Sequence, residues 1–381
     1  MIARTIPVPR PRRNLTGAQR LAWLRLIRSE NVGPVTFREM LNHYGGAAEA
    51  LEALPELSRR GGRVRPLYIC PAAEAEQELA LAAKAKATLI ALDELGYPPL
   101  LAVIEAPPPL VYMRGRPELL EKPVVAMVGA RDASAAGRKI TYQIASNLGA
   151  GGVVITSGLA RGIDTAAHEA ALPTGTIAVI AGGIDVVYPP ENAGLHERIA
   201  NEGALIAENA PGLSPRGRDF PRSNRLISGM SLAVLVVEAA VRSGSRITAD
   251  FAKEQGRMIF AVPGNPLDPR AGGTNQLIKE GARLVTEAGD VVAGLGSALA
   301  GFSPPPASVE RTLSERPMPA ISMSTPERRK IVDALGIAPI TIDDLIRMTG
   351  VDARQVRVAL MELELAGRVE RLGGQRVVLV A

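Results

Sequence analysis

The chain has 381 residues, 46% of them hydrophobic, which is too long for one typical domain and enough for two or three with real cores. No 18-residue apolar run marks a membrane helix, residues 1–7 lack the apolar stretch of a secretory signal, and one cysteine, Cys70, excludes a disulfide framework or a cysteine-ligated zinc site. The net charge of +5 is uneven: residues 1–60 carry ten arginines against five acids, whereas residues 121–300 hold seventeen basic and seventeen acidic side chains. Leu21, Leu24, Ile27 and Val32 recur on one side of a first helical stretch, and Asn31-Val-Gly-Pro turns the chain into a second over 36–44. A glycine turn between short helices with arginines nearby fits a helix-hairpin-helix module that could hold a phosphate backbone, and it fits an ordinary helical bundle as well. A further helix is predicted over 72–86, followed by apolar runs at 87–92, 100–104 and 110–112 that read as extra strands leading into the main domain.

From Pro123 the pattern becomes regular. Apolar runs at 124–129, 152–156, 176–181, 204–207, 232–239, 258–262 and 283–286 alternate with helix-compatible segments at 135–148, 162–172, 192–201, 221–230, 245–256 and 274–280. Nearly all-apolar strands between amphipathic helices predict an α/β fold whose mostly parallel sheet is covered on both faces. Residues 299–324, with Pro304, Pro305, Pro306, Pro317 and Pro319, read as an extended linker. Helix starts at Thr325, Thr341 and Asp352, then a hairpin turning at Gly373-Gly374, predict a winged helix over 325–381. Its reading helix carries Arg354 and Arg357 but also Glu362 and Glu364, which supports major-groove reading only weakly and leaves protein contact or regulation open.

Polar loops follow several of the strands, which is where an open α/β sheet binds anions. In Gly129-Ala-Arg-Asp-Ala-Ser134, Gly129 permits close backbone approach, Arg131 offers a planar fork for phosphate, and Ser134 can donate a hydroxyl or cap the next helix; a structural turn with a solvated arginine is equally consistent. In Ser157-Gly-Leu-Ala-Arg-Gly-Ile-Asp-Thr-Ala-Ala-His168, Ser157, Gly158 and Arg161 are candidate ligand contacts. Asp164 and His168 share a helix face but match no usual triad layout, so packing and capping suit them better. Gly182-Gly183 also allows close approach, and Tyr188 could stack on a base or pack as a wall beside Pro189-Pro190. The densest arginine cluster is Arg216, Arg218, Arg222 and Arg225, interleaved with Phe220-Pro221 and Asn224, with Arg222 and Arg225 on one face. An aromatic among arginines suits a single-strand groove, although a charge run also serves as a solvated surface. Ser243-Gly-Ser245 precedes a helix as a candidate phosphate nest, and Glu238 could brace Arg131 or Arg161 or act as a lone base. Pro263-Gly-Asn-Pro266 and Gly272-Gly-Thr-Asn275 form a lid-like edge. Walker, metal-binding and nucleophile-elbow motifs are absent, so the loops look more like a binding surface than a reaction centre.

The order of motifs resembles the DNA processing protein A family (DprA, also called Smf) over roughly residues 15–295. It runs Val-Gly-Ala-Arg-x-x-Ser at 128–134, Ser-Gly-Leu-Ala-Arg-Gly-Ile-Asp-Thr-Ala-Ala-His at 157–168, Gly-x-Asp-x-x-Tyr-Pro at 183–189, Phe-Pro-x-x-Asn-Arg-x-Ile-x-Gly at 220–229, Glu-Ala-x-x-x-Ser-Gly-Ser at 238–245 and Phe-Ala-Val-Pro-Gly at 260–264. The resemblance implies a helical domain over 1–65, an extended Rossmann-like domain over 66–298 and, past the linker, the winged helix that ends many members. It implies a cytoplasmic, non-enzymatic single-stranded DNA binder without cofactor or metal. Such a protein dimerises through the Rossmann-like domain and loads the RecA recombinase in natural transformation. Carried over by residue, Arg131 falls on the family's phosphate-contacting arginine, and Ser134, Ser157, Gly158, Arg161, Phe220, Asn224, Arg225, Ser243 and Gly244 fall on its pocket motifs. Ala130 replaces the usual serine, Pro190 stands where many members carry a basic residue that Arg218 or Arg222 could replace, and Arg246 stands where an apolar residue is common. Two other readings remain. A nucleotide phosphoribohydrolase would use Glu238 as its acid, but the Pro-Gly-Gly-x-Gly-Thr-x-x-Glu run of those enzymes is absent; a double-strand regulator would act through the winged helix.

Overall fold

The computed structural model describes residues 14–302 and 324–380, so most of the proline-rich linker (303–323) lies outside the described residues. The described chain forms two compact units, one of residues 78–302 and one of residues 15–77 with 324–380.

Three helices open the terminal unit: α1 (Gly17–Arg28), α2 (Pro34–Tyr44) and α3 (Ala47–Arg60). Thr16 and Gln19 cap α1 reciprocally, and Pro34 starts α2 where its missing N–H leaves no donor unpaired. Trp23 packs edge-on against Phe37, ring centroids 5.0 Å apart, over buried Leu24, Met40 and Leu54.

After α4 (Ala72–Lys84), two antiparallel strands, β1 (Thr88–Ala91) and β2 (Leu110–Gly115), form one end of a nine-stranded sheet. Between them 99–102 is a short helix, α5, which corrects the strand expected at 100–104: Pro98 and Pro99 remove donors a ladder needs and pre-set helical φ. The doubly wound part then alternates β3 (Val124–Gly129), α6 (Ala135–Ala150), β4 (Val154–Ser157), α7 (Ile163–Ala171), β5 (Thr176–Gly183), α8 (Ala193–Glu202), β6 (Ala204–Asn209), α9 (Asp219–Gly229), β7 (Ala233–Val237), α10 (Gly244–Glu254), β8 (Met258–Ala261), α11 (Gly272–Lys279) and β9 (Arg283–Leu284). The helices α12 (Ala288–Leu295) and α13 (Ser297–Ala300) follow.

The strand order is β1-β2-β6-β5-β4-β3-β7-β8-β9, parallel from β6 to β9, an extended Rossmann-like sheet. β4 and β7 are buried along their whole length, as strands covered on both faces must be. The chain winds outward from β3 through β6 and then crosses to β7 on the other side of β3. That reversal is a topological switch point, and it leaves a crevice beyond the carboxyl ends of β3 and β7.

The terminal unit is completed by α14 (Thr325–Ala334), α15 (Ile342–Thr349), α16 (Ala353–Leu365) and a sheet of β10 (Ile340–Thr341), β11 (Val369–Leu372) and β12 (Arg376–Leu379) in the order β10-β12-β11. This is the predicted winged helix, capped at Ser324, Thr341 and Asp352, with a core of Ile331, Leu345, Val356, Leu360 and Val377.

Candidate nucleic-acid interface

The loops beyond the carboxyl ends of the parallel strands are fastened to one another. Ile163 donates its amide to the Ala130 carbonyl at 3.2 Å, and Gly162, at φ 80°, sits so close that a Cβ would stand 2.3 Å from the Ala130 oxygen. Loops 129–134 and 157–162 therefore meet backbone to backbone. Asn192 ties the next loop in, donating to the Leu159 carbonyl at 2.9 Å and the Ala160 carbonyl at 3.2 Å. No motif in the sequence singles out this buried asparagine, because its partners lie more than a helix away.

Several glycines expected to admit a ligand instead admit the protein's own backbone. A Cβ on Gly129 would meet the Val237 carbonyl at 1.8 Å and Ile163 at 2.6 Å, so this glycine lets β3, β7 and α7 close together. Likewise Gly182 and Gly183 face the Leu213 and Ala210 carbonyls at 2.7 and 2.5 Å. Gly158 sits beside Asp164 and Ile227, at 3.2 and 3.3 Å from an added Cβ, while Gly244 has open space.

The serines divide in the same way. Ser134 caps α6, accepting from the Gly137 amide at 2.8 Å. It gives its amide (2.9 Å) and its hydroxyl to the Glu238 carboxylate. Glu238 thus braces neither Arg131 nor Arg161; it is the anion at the N-terminus of α6, held there at φ 53°. Ser157 is fully buried and donates to the Met127 carbonyl at 2.6 Å, so its hydroxyl locks β4 to β3 and has no surface to offer a ligand. The Ser243 and Ser245 hydroxyls pair at 3.0 Å, neither capping α10, and Asn224 reaches across from α9 to the Gly244 carbonyl at 3.3 Å.

What remains open at this edge is cationic and aromatic. The exposed Arg131 guanidinium lies over the Phe220 ring, 5.5 Å from its centroid, and Phe220 packs against Tyr188 at 5.6 Å. Tyr188 is 44% exposed, so it forms part of a wall and still presents ring surface. Arg216, Arg218 and Arg222 are exposed on the segment that carries Phe220, and Arg161 is exposed on the loop fastened to Arg131's. Arg225 does not join them: it is largely buried, donating to both Glu208 carboxylate oxygens (3.1 and 3.4 Å) and to the Ala106 carbonyl. The expected pairing of Arg222 and Arg225 on one ligand face therefore fails, because Glu208 on the neighbouring strand claims the second. Arg246 is also spoken for, by Glu280 at 2.6 Å. Acids around the edge are similarly committed: Asp185 accepts the Gly212 amide and Asp219 the Arg216 amide. Asp132 and Glu191 are exposed, Glu191 standing 3.7 Å from Arg161.

Asp164 and His168 do not meet. Asp164 accepts the Gly158 and Ala160 amides at 3.1 and 3.3 Å, and burial pushes its carboxyl up to about 6 against the pull of those donors. The Thr176 hydroxyl donates to the Ile155 carbonyl, so it must accept from His168 Nδ1 at 2.7 Å, which places the imidazole proton on Nδ1. Burial holds that imidazole down to about 3. The two groups oppose each other in acid. His168's contribution to stability is full above its ordinary value of 6.5 and is lost as pH falls toward 3; Asp164's folded state gains stability as pH falls from about 6 to its ordinary value of 3.8. Between those last two values the slopes offset. Asp164→Asn is therefore expected to make the thermal midpoint fall continuously from pH 6 to pH 4, relative to a flatter wild type. Equal slopes in scans across that range contradict the assignment.

Among the described residues no group of three or more histidine, cysteine or acidic side chains could hold a metal ion, and no helix is long and apolar enough to cross a membrane. Comparison with known proteins decides the family. The family model described as DNA recombination-mediator protein A matches residues 88–296, more than half the chain. The chain belongs to the DprA/Smf family. Models of the DprA-like N-terminal HHH domain and the DprA winged helix domain match residues 17–81 and 314–375. The DNA processing protein DprA of Streptococcus pneumoniae is 46% identical over 199 residues, 52% of this chain and 70% of that protein. The X-ray structure of the pneumococcal protein superposes with a TM-score of 0.60 at 36% identity, covering 71% of this chain and 95% of that one. The Helicobacter pylori DNA processing protein A, solved to show its single-stranded DNA binding mode, gives 0.51 at 29% identity over 55% of this DprA/Smf chain and 95% of its own.

Proposed function

We propose that the edge built by Arg131, Phe220, Tyr188, Arg161, Arg216, Arg218 and Arg222 binds single-stranded DNA. Backbone phosphates lie along the arginines, bases face the aromatic pair, and no bond is made or broken. The observation that carries this reading is the Arg131 guanidinium lying over the Phe220 ring, which itself packs at a tilt against Tyr188, with Asp164, Asp219 and Glu238 at the same edge taken up by hydrogen bonds of the fold. Exposed arginine beside exposed ring surface suits unpaired bases, because every base has a π-face and every nucleotide a phosphate. Ser134, Ser157, Gly158, Asn224 and Arg225 support the surface, while Ser243, Gly244 and Ser245 offer the N-terminus of α10 to a phosphate. Membership of the DprA/Smf family and the single-stranded DNA binding of the Helicobacter protein support the reading. In this reading the protein acts in the cytoplasm as a homodimer through its Rossmann-like domain and hands its strand to RecA during natural transformation.

The test is a titration of the full chain with single strands of unrelated sequence and with their duplexes over a range of salt. Single strands are expected to bind with little sequence preference, log affinity falling linearly with log salt at about 0.7 per phosphate contacted. Absence of single-strand binding at low salt sinks the reading; release of free base from nucleotides, lost in Glu238→Gln, would replace it with the hydrolase.

A further inference from the structure

The winged helix does not stand apart from the N-terminal helices. The last turns of α16 lie against α3 so closely that a Cβ on Gly61 would be 1.9 Å from the Glu362 carbonyl oxygen. One ion pair, Arg371 with Glu39, and several hydrogen bonds cross between them, fed by two ion pairs inside the winged helix. Glu362, 2% exposed in its side chain, pairs with Arg328 at 2.6 Å, and Arg328 also donates to the Arg60 carbonyl. Glu364 accepts from the Thr36 hydroxyl and from Arg371 Nε at 2.8 Å, while Arg371 Nη2 reaches Glu39 at 2.6 Å. Arg368 donates to the Gly61 carbonyl, and Asn31, in the hairpin between α1 and α2, donates to the Leu365 carbonyl. The mixed charge of the reading helix now has a cause: its two acids belong to internal contacts.

A buried ion-pair cluster contributes little net stability compared with apolar packing, and the pair that crosses this contact, Arg371 with Glu39, is open to a competing anion. The arginines that Glu362, Glu364 and Glu39 neutralise, Arg328 and Arg371, are groups a phosphate backbone would pair with, and the carboxylates stand where phosphates would. The same contact covers the α1–α2 hairpin. We propose that it is a latch: Glu362, Glu364 and Glu39 occupy the arginines of the winged helix, and a nucleic-acid backbone competes for them and opens the terminal unit. Coupling is reciprocal, so if opening raises affinity for DNA, DNA must promote opening. The proposal goes beyond the single-strand surface on the sheet and does not depend on it.

The experiment uses the full chain with fluorophores attached through Glu52→Cys and Asp333→Cys, both exposed positions outside the latch, Cys70 being buried. Energy transfer between the labels is expected to drop as a short single strand or duplex is added, the effective arm showing which form competes. It should drop likewise in an Arg131→Ala background, which separates the latch from the sheet surface. Glu364→Gln with Glu39→Gln is expected to lower transfer without DNA and to tighten binding by about tenfold, as a small competent fraction grows. Transfer unchanged by either form of DNA overturns the proposal even if the double variant fails to fold, as does a variant that opens without gaining affinity.

Discussion

Arg131→Ala should weaken single-strand binding roughly 10- to 150-fold, whatever the oligonucleotide sequence, with the unfolding midpoint of the protein little changed. The size follows from one interaction. A charge-assisted hydrogen bond to phosphate contributes about 1.5–3 kcal/mol, and each 1.4 kcal/mol is roughly tenfold. The contact with the Phe220 face is made without DNA, so its loss, about 0.5–1 kcal/mol at an exposed site, falls on stability. The salt slope should fall by about 0.7, as it does when one cation no longer pairs with a phosphate of a single strand. Stability is largely spared because Arg131 is exposed and lies over one ring at the surface. Arg225→Ala provides the contrast: it removes a part-buried ion pair with Glu208 and a hydrogen bond to the Ala106 carbonyl, so its main effect is a loss of stability. Titration and thermal scans of the two variants check both halves. If Arg131→Ala binds unrelated strands as tightly as wild type at low and moderate salt, the surface has been misassigned.

That contrast also marks where sequence reading runs out. Arg222 and Arg225 are indistinguishable in the sequence, three residues apart on a helix after Phe220-Pro221. What separates them is Glu208, which becomes the neighbour of Arg225 only once β6 and α9 have packed. The strands were legible because burial on both faces demands unbroken apolar runs, and the loops were legible because polar and glycine residues must follow where those runs end. The helix over 99–102 escaped because four apolar residues carry no period, and only the prolines before them tell helix from strand. The duty of the glycines was hidden for a different reason. A glycine announces that something comes close, but whether it is a ligand or the Val237 carbonyl depends on strand order, and β7 lies beside β3 only through the crossover. Glu362 and Glu364 read as a weakness of a DNA-reading helix, since their partner arginines lie outside that helix and their seats, Thr36 and Gly61, at the other end of the chain.

Gly162→Ala should do more damage than removal of any exposed arginine. At φ 80° and ψ −116° a side chain is strained before any neighbour is considered, and its Cβ would stand 2.3 Å from the Ala130 oxygen and 2.5 Å from the Arg131 oxygen. Neither obstacle is a flexible side-chain end; both are backbone, and the Ala130 oxygen already accepts the Ile163 amide. The loop at 129–134 can yield only by lifting away, which breaks that hydrogen bond and carries Arg131 off Phe220. Strain and the broken hydrogen bond together put the expected destabilisation at about 3 kcal/mol or more. Single-strand affinity should fall at least as far as in Arg131→Ala, in a protein that is measurably less stable. Gly244→Ala is the matched control, because its added Cβ meets nothing within 4 Å and its φ is not left-handed. There the fold should be indifferent, so any drop in affinity reports a phosphate approaching the N-terminus of α10. Thermal denaturation and strand titration of both variants separate a glycine kept for the fold from one kept for the ligand, and a Gly162→Ala protein with the stability and affinity of wild type would mean that the two loops are not seated on each other.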